Sequence, residues 1–212
     1  MGAAASRVRI GDLRSLGAPA VVEDADIYAA NASKKAHAAA IADPAAAVLA
    51  DDSGIEVAAL GGAPGIQSAR WATAADGTPL DGAGLNAALL RRLDGVPEPQ
   101  RGARLVCAVA LLLPDGRLGT GWGEVAGHIA HDQRGARGFG YDAVFVLPDG
   151  RRLSEVGAAV KDLVGHRGQA VRGVVPELRR WLRKSTAPGA HGGADPAVPT
   201  HPSKRALTDR PS

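Results

Sequence analysis

Only one cysteine, Cys107, occurs in this 212-residue sequence, so no internal disulfide can form. It sits in the apolar run from Leu105 to Leu113, where burial as a core residue in a reducing, cytoplasmic setting fits. No apolar stretch approaches the ~18 residues that a bilayer-spanning helix needs, and no secretory signal is visible. The pattern from Met1 to Ser6 formally fits the loose N-myristoylation motif, a match that an Ala-rich start produces easily. Charge is equally undistinguished: 25 Lys and Arg stand against 22 Asp and Glu, spread along the chain, for a net charge of +3. A polyanion-binding face is not indicated, which sets nucleic acid aside, while small phosphorylated ligands need only two or three local cations. There is no internal repeat and no Gly-x-Gly-x-x-Gly fingerprint.

What is present reads as one domain with an appendage. A core of ~180 residues buries about 70% of its unfolded surface, enough for an independent interior. From about Lys184 to Ser212 the chain turns to Pro, Ala, Gly, Ser and Thr, and we expect a disordered tail over 185–212 after a domain over 1–184. Asp26 to Ala42 is long, Ala-rich and free of Gly and Pro, which predicts a helix. Ala46 to Ala50 predicts a short strand ending at Asp51-Asp52-Ser53-Gly54. Leucines at 85, 89, 90 and 93 predict a helix over Ala83 to Leu93. Arg104–Leu113 and Gly119–Ile129 flank Pro114-Asp115-Gly116 and predict a hairpin. Tyr141 to Leu147 has strand composition, and Ala170 to Arg183 helical composition with Pro176 as a start or kink. Alternating strands and helices followed by antiparallel pairing predict an α/β domain with a mixed sheet.

Aromatics are scarce, at 3% of residues, yet three of the seven fall between Gly138 and Phe145. Flat faces stack on flat ligands, glycines permit close approach, and Asp142 accepts hydrogen bonds as a nucleobase edge requires. The alternative is a turn leading into a core strand. At Asp51-Asp52, side-chain alternation predicts that one carboxylate faces a cleft while the other braces the turn; solvation of a loop is the competing reading. Glu23-Asp24 suits a hard cation bound through oxygens, or is a surface acidic pair. Lys34 and Lys35 alone read as a solvated helix face. Two glycine-rich loops, at 61–65 and 135–140, are weak signals of phosphate binding. Lys161, His166 and Arg167 place three potential cations near the C-terminal helix. His128 and His131 lack a third ligand at suitable spacing, so zinc is not expected.

Together these segments resemble the inosine triphosphate pyrophosphatase family. The matching pieces keep the family's order: Glu23-Asp24 with Asn31-Ala32 and Lys35, then Leu49 to Gly54. Gly61 to Ile66 with Ser68-Ala69-Arg70-Trp71, Gly138 to Phe145, and Lys161 with His166-Arg167 follow. The resemblance covers about Val21 to Leu182. It implies a long mixed sheet flanked by helices, two lobes around a central cleft, Mg²⁺ dependence and a homodimer. It also implies hydrolysis of purine nucleoside triphosphates such as dITP, ITP and XTP to monophosphate and pyrophosphate. By resemblance Asp52 is the general base and a metal carboxylate, Glu23 the other metal carboxylate, and Ser53 a substrate contact. Phe139, Gly140, Tyr141 and Asp142 match the base-binding segment, and Lys161, His166 and Arg167 the residues around the purine.

Family members open with a strand running into Thr/Ser-x-Asn-x-x-Lys, and this chain has no Asn before Asn31 and no Lys before Lys34. Smaller departures are Ala25, Ala30, Ala143 and Gly165, which replace Gly, Glu, Pro and Ser of the family pattern. Two expectations follow. One is a working pyrophosphatase whose start lies upstream of Met1, or in which Arg7, Arg9 or Arg14 partly takes over the phosphate grip. The other is an impaired remnant that still binds purine nucleotides or dimerises.

Overall fold

The structure, a computed structural model, describes residues 10–12, 17, 19–135 and 137–185. Arg7, Arg9, Arg14, the start from Met1 to Ser6 and the expected tail beyond Ser185 lie outside the described residues. A five-stranded sheet runs in the order β2-β1-β3-β4-β5, with β1 at Val48–Val57, β2 at Pro64–Gly65, β3 at Gly102–Leu112, β4 at Leu118–Ile129 and β5 at Phe145–Val146. Among the described residues four α-helices accompany it: α1 (Tyr28–Ala40), α2 (Gly82–Arg92), α3 (Ala158–Val164) and α4 (His166–Ser185). The α/β architecture is as expected. Every pairing among the described strands is antiparallel, so the mixed pairing predicted for the sheet is absent from them. The cause lies in β1, which pairs directly and antiparallel with β3 along its whole length.

Two further expectations need correction. β1 does not end at Asp51; it continues through Asp52, Ser53 and Gly54 to Val57. Those residue types are poor strand formers, but β3 supplies ladder partners from Leu112 back to Ala103 and overrides the local preference. Most of Tyr141–Leu147, in contrast, is turn, and only Phe145 and Val146 pair with β4. α4 begins at His166, earlier than its composition predicts, and carries Pro176 in its interior.

The pleat of β1 and β3 sorts side chains onto two faces. On one face the alanines of α1 (Ala32, Ala36, Ala39) close over Val48, Ala110 and Leu112. On the other, Ala170 and Val174 of α4 pack on Cys107, Val109 and Leu111. Further along that second face α2 contributes Leu85 and Leu89, and its C-cap Leu93, to a core with Ile55, Leu105, Ile129 and Phe145. α4 lies unusually close to β4, because Gly121 and Gly123 present no side chain to it. A methyl group at Gly121 would overlap the carbonyl oxygen of Ala170, and one at Gly123 that of His166. Arg101, only 2% exposed, ties the far end of α2 to the end of β4. Its guanidinium donates to the carbonyls of Leu93 (2.7 Å), Ile129 (2.7 Å) and Ala130 (2.7 Å), with a longer bond to Val96 (3.4 Å).

Candidate active site

Alternation along β1 divides Asp51 from Asp52. Asp52 points to the α1 face, where it is nearly buried. Its Oδ2 accepts a hydrogen bond from Asn31 Nδ2 at 3.1 Å and its Oδ1 one from Lys35 Nζ at 3.1 Å. Lys35 Nζ also lies 3.2 Å from Glu23 Oε1, so one ammonium bridges the two carboxylates assigned by resemblance to the metal. Asn31 and Lys35 share a face of α1 because they are four residues apart. Asn31 is fully buried, and its Oδ1 accepts the backbone N–H of Ala25, which fixes the loop carrying Glu23. Arg70 reaches the same loop, donating to the Glu23 carbonyl with its Nη1 3.6 Å from Glu23 Oε2. Asp24 instead pairs with Lys34 at the surface.

Asp51 and Ser53 point to the α4 face. Asp51 Oδ2 accepts Arg167 Nε at 2.9 Å, and Ser53 Oγ accepts Arg167 Nη2 at 3.0 Å. The same guanidinium lies over the ring of Phe139, 4.9 Å from its centroid. A cavity of about 350 Å³ opens beside them, where α4 gives way to α2. Ser53, Phe139, Gly140, Tyr141, Asp142 and His166 all line it, with Leu80 just before α2 and Gly82 and Leu85 on it forming the facing wall. Such a volume lies at the lower end of small-molecule sites.

The aromatic run splits by environment. Phe139 is 68% exposed and offers a free ring face, whereas Tyr141 and Phe145 are buried. The Tyr141 hydroxyl donates to the Ser68 carbonyl at 2.7 Å, so Tyr141 forms a wall of the cavity rather than an open stacking surface. Asp142 Oδ2 accepts both Lys161 Nζ (2.7 Å) and the Phe139 N–H (3.1 Å). The turn that makes this possible needs Gly138, with φ +94°, since any side chain there would overlap the Asp142 carboxylate. Gly140 is held from α2, where Asn86 Nδ2 donates to its carbonyl at 3.0 Å.

The glycine-rich loop at 61–65 serves the sheet. Its Pro64–Gly65 segment pairs with Ile55 and Glu56, and Ser68 beyond it accepts the Ile55 N–H at 2.8 Å. The site residues singled out from the sequence thus gather around one stretch of β1, with Glu23 and Asp52 on one side and the rest on the other. Sequence reasoning places Asn31, Lys35 and Arg70 among the matching pieces but gives them no role at the site, and it misses Asn86. The i, i+4 spacing of Asn31 and Lys35 was the available signal, while the partners of Asn86 and Arg70 are distant in sequence.

His166 carries the clearest electrostatic signature. Burial, with the neighbouring Arg167 charge adding to it, pushes its pKa down to about 4, and its Nδ1 has no partner among the described residues. The imidazole is therefore neutral near pH 7 and able to accept or donate one hydrogen bond to a ligand. The folded pKa lies below the unfolded value near 6.5, so the unfolded chain binds the proton first as pH falls. Stability is then lost between about pH 6.5 and pH 4, by on the order of 3 kcal/mol in total from this group. Denaturant unfolding of wild type and His166→Gln at a series of pH values measures it; the variant is expected to lose stability less steeply across that window.

Oxygen-only chemistry at Glu23 and Asp52 suits Mg²⁺, which binds through one or two carboxylates and completes its shell with water and substrate phosphate. The two carboxylates already converge on one positive charge, that of Lys35. The residues present therefore fit such an ion.

The chain matches the Ham1 family over residues 3–177. It is 44% identical over 161 residues to the dITP/XTP pyrophosphatase of Desulforamulus reducens, covering 76% of this chain and 78% of that protein. With the dITP/XTP pyrophosphatase of Frankia alni the identity is 46% over 165 residues, covering 76% and 81%. A solved HAM1 protein from Coxiella burnetii superposes with a TM-score of 0.69 at 31% identity, covering 79% of this chain and 84% of that one. The solved nucleoside-triphosphatase / dITP/XTP pyrophosphatase from Mycobacterium abscessus gives 0.59 at 39% identity, covering 76% and 80%.

Proposed function

Because the chain belongs to the Ham1 family, we propose that it hydrolyses dITP, ITP and XTP to the monophosphate and pyrophosphate, clearing non-standard purines from the nucleotide pool. The observation that carries this reading is the division of β1: a paired-carboxylate centre on one face, a nucleobase-sized cavity on the other, one residue apart in the chain. A nucleotide laid across that stretch has its base by Phe139 and its phosphates by Asp52, Glu23 and Lys35.

In the reaction the bond between the α-phosphorus and the oxygen bridging to the β-phosphate breaks. A water oxygen bonds to phosphorus, and the water proton passes to Asp52 Oδ1 or Oδ2. Asn31 and Lys35 fix the position of that carboxylate, one hydrogen bond to each oxygen. A triphosphate carries roughly four negative charges, so carboxylates beside it repel unless cations intervene. Mg²⁺ held by Glu23 and Asp52 supplies that neutralisation when bound, and Lys35 is the protein's own cation there. On the cavity side, Arg167 and Lys161 are donor-only groups, and His166 contributes one donor or acceptor. Donors favour the 6-oxo group of hypoxanthine and xanthine over the 6-amino group of adenine.

The domain we assign spans 1–184, with the family's homodimer as the expected assembly and the cytoplasm as its place. None of the described helices is long and apolar enough to cross a membrane. Pyrophosphate release from ITP and ATP with purified protein and Mg²⁺ tests the reading. Turnover of ITP is expected to exceed that of ATP by at least ~100-fold, since discrimination at a hydrogen-bonded edge reaches large factors. Comparable rates would exclude the purine-sorting role, and no release from either would leave the binding remnant.

A further inference from the structure

Asp51 sits beside the base for hydrolysis yet faces away from it, and the hydrolytic reading gives it no task. Its surroundings supply one. Asp51 Oδ2 receives Arg167 Nε at 2.9 Å, and the guanidinium is completed on the same side by Ser53 Oγ, 3.0 Å from Nη2. Beneath the carboxylate lies the thiol of Cys107, 3.7 Å away on the neighbouring strand. Burial and the Asp51 charge push the Cys107 pKa up to about 12, so sulfur keeps its proton and acts as a weak donor to Asp51. The guanidinium carbon lies over the Phe139 ring, 4.9 Å from its centroid, and both Ser53 and Phe139 line the cavity. Arg167 is thereby held at Nε, at Nη2 and against the Phe139 ring. Among the described residues Nη1 donates to no protein acceptor.

We propose that Asp51 is a specificity-positioning residue: through Arg167 it orients a donor-only edge toward the cavity and so sets which purines are accepted. A guanidinium held in this way presents paired N–H groups to the O6 and N7 acceptors of a 6-oxopurine, whereas adenine offers an amino group in place of O6. Without its carboxylate anchor the arginine side chain regains rotamers and meets either purine equally well. The adjacent aspartates then divide the work across the strand: Asp52 serves bond cleavage and Asp51 serves base choice. The proposal rests on the reading of the cavity as a purine site.

Calorimetric titration of the full chain with IMP and with AMP tests it without requiring turnover. Wild type is expected to bind IMP more tightly, and Asp51→Ala to lower the IMP/AMP affinity ratio at least tenfold. Asp51→Asn retains an acceptor for Arg167 Nε, so an intermediate ratio is expected, together with a fold whose melting temperature stays near wild type. In an Arg167→Ala background the ratio is already low, and adding Asp51→Ala should leave it unchanged. A wild-type ratio in folded Asp51→Ala or Asp51→Asn would overturn the proposal, as would a further fall in the double variant. Equal binding of IMP and AMP by wild type would instead remove the purine-site reading itself, and the proposal with it.

Discussion

Asp52→Asn is expected to lower kcat for dITP by about three orders of magnitude, within the usual contribution of general base catalysis. The substitution removes the proton acceptor while keeping the shape of the side chain. It also takes one of two carboxylates from the cation centre, leaving Glu23 to face Lys35 alone. The fold should survive: the amide oxygen introduced at this position can still accept from Asn31 or Lys35, and Glu23 still neutralises the ammonium. Steady-state pyrophosphate release with parallel thermal melts separates the loss of chemistry from any loss of structure. A folded variant that keeps a tenth of wild-type turnover would rule out Asp52 as the base. Asp51→Asn should reduce turnover of dITP less, because its carboxylate is on the opposite face of the strand.

Arg101→Met has the largest expected effect on stability. Four carbonyls, from Leu93, Val96, Ile129 and Ala130, share a guanidinium that is 2% exposed. Methionine fills most of the volume but donates nothing; the Leu93 carbonyl keeps the Val96 N–H at 3.1 Å, while each buried carbonyl left unpaired costs on the order of 1–3 kcal/mol. Some relief comes from entering water, so the net loss should be about 4 kcal/mol, a large share of a typical domain's stability. Calorimetry should show a melting temperature lower by about 10 °C. Arg101→Lys should recover only part of this, since an ammonium cannot reproduce the planar fork. A fall of less than about 2 °C in Arg101→Met would show that the carbonyls have other donors.

Much of this arrangement was legible in local pattern. The alanines of α1, the leucines of α2 and the Pro-Asp-Gly hairpin follow from periodicity and turn chemistry. The opposite facing of Asp51 and Asp52 follows from strand alternation. What escaped depends on distant partners. Asp52, Ser53 and Gly54 look like a turn until β3 is seen pairing with them. Tyr141 to Leu147 looks like a strand, yet Asp142, Ala143 and Val144 are bent away by contacts with Lys161, Arg134 and Ala130. Lys35 reads as a solvated lysine because Glu23 and Asp52 approach it from two separate segments. Arg101 gives no local sign of burial, since Ile129 and Ala130 arrive from the far end of a hairpin.

The contact between α4 and β4 has a consequence for how the cavity responds to heat. Most seams between a helix and a sheet are filled by side chains, whose rotamers multiply as temperature rises and let the layers breathe. At Gly121 and Gly123 the strand has none to multiply, so only the α4 side of the seam, with Gln169 and Val174, has side-chain entropy to gain or lose. The closest approaches there are to backbone, the carbonyls of Ala170 and His166. His166 and Arg167 ride on the first turn of that helix, so one wall of the cavity inherits a fixed gauge. The other wall, α2 with its packed leucines, carries the rotameric freedom, and changes of cavity width with temperature should come from that side.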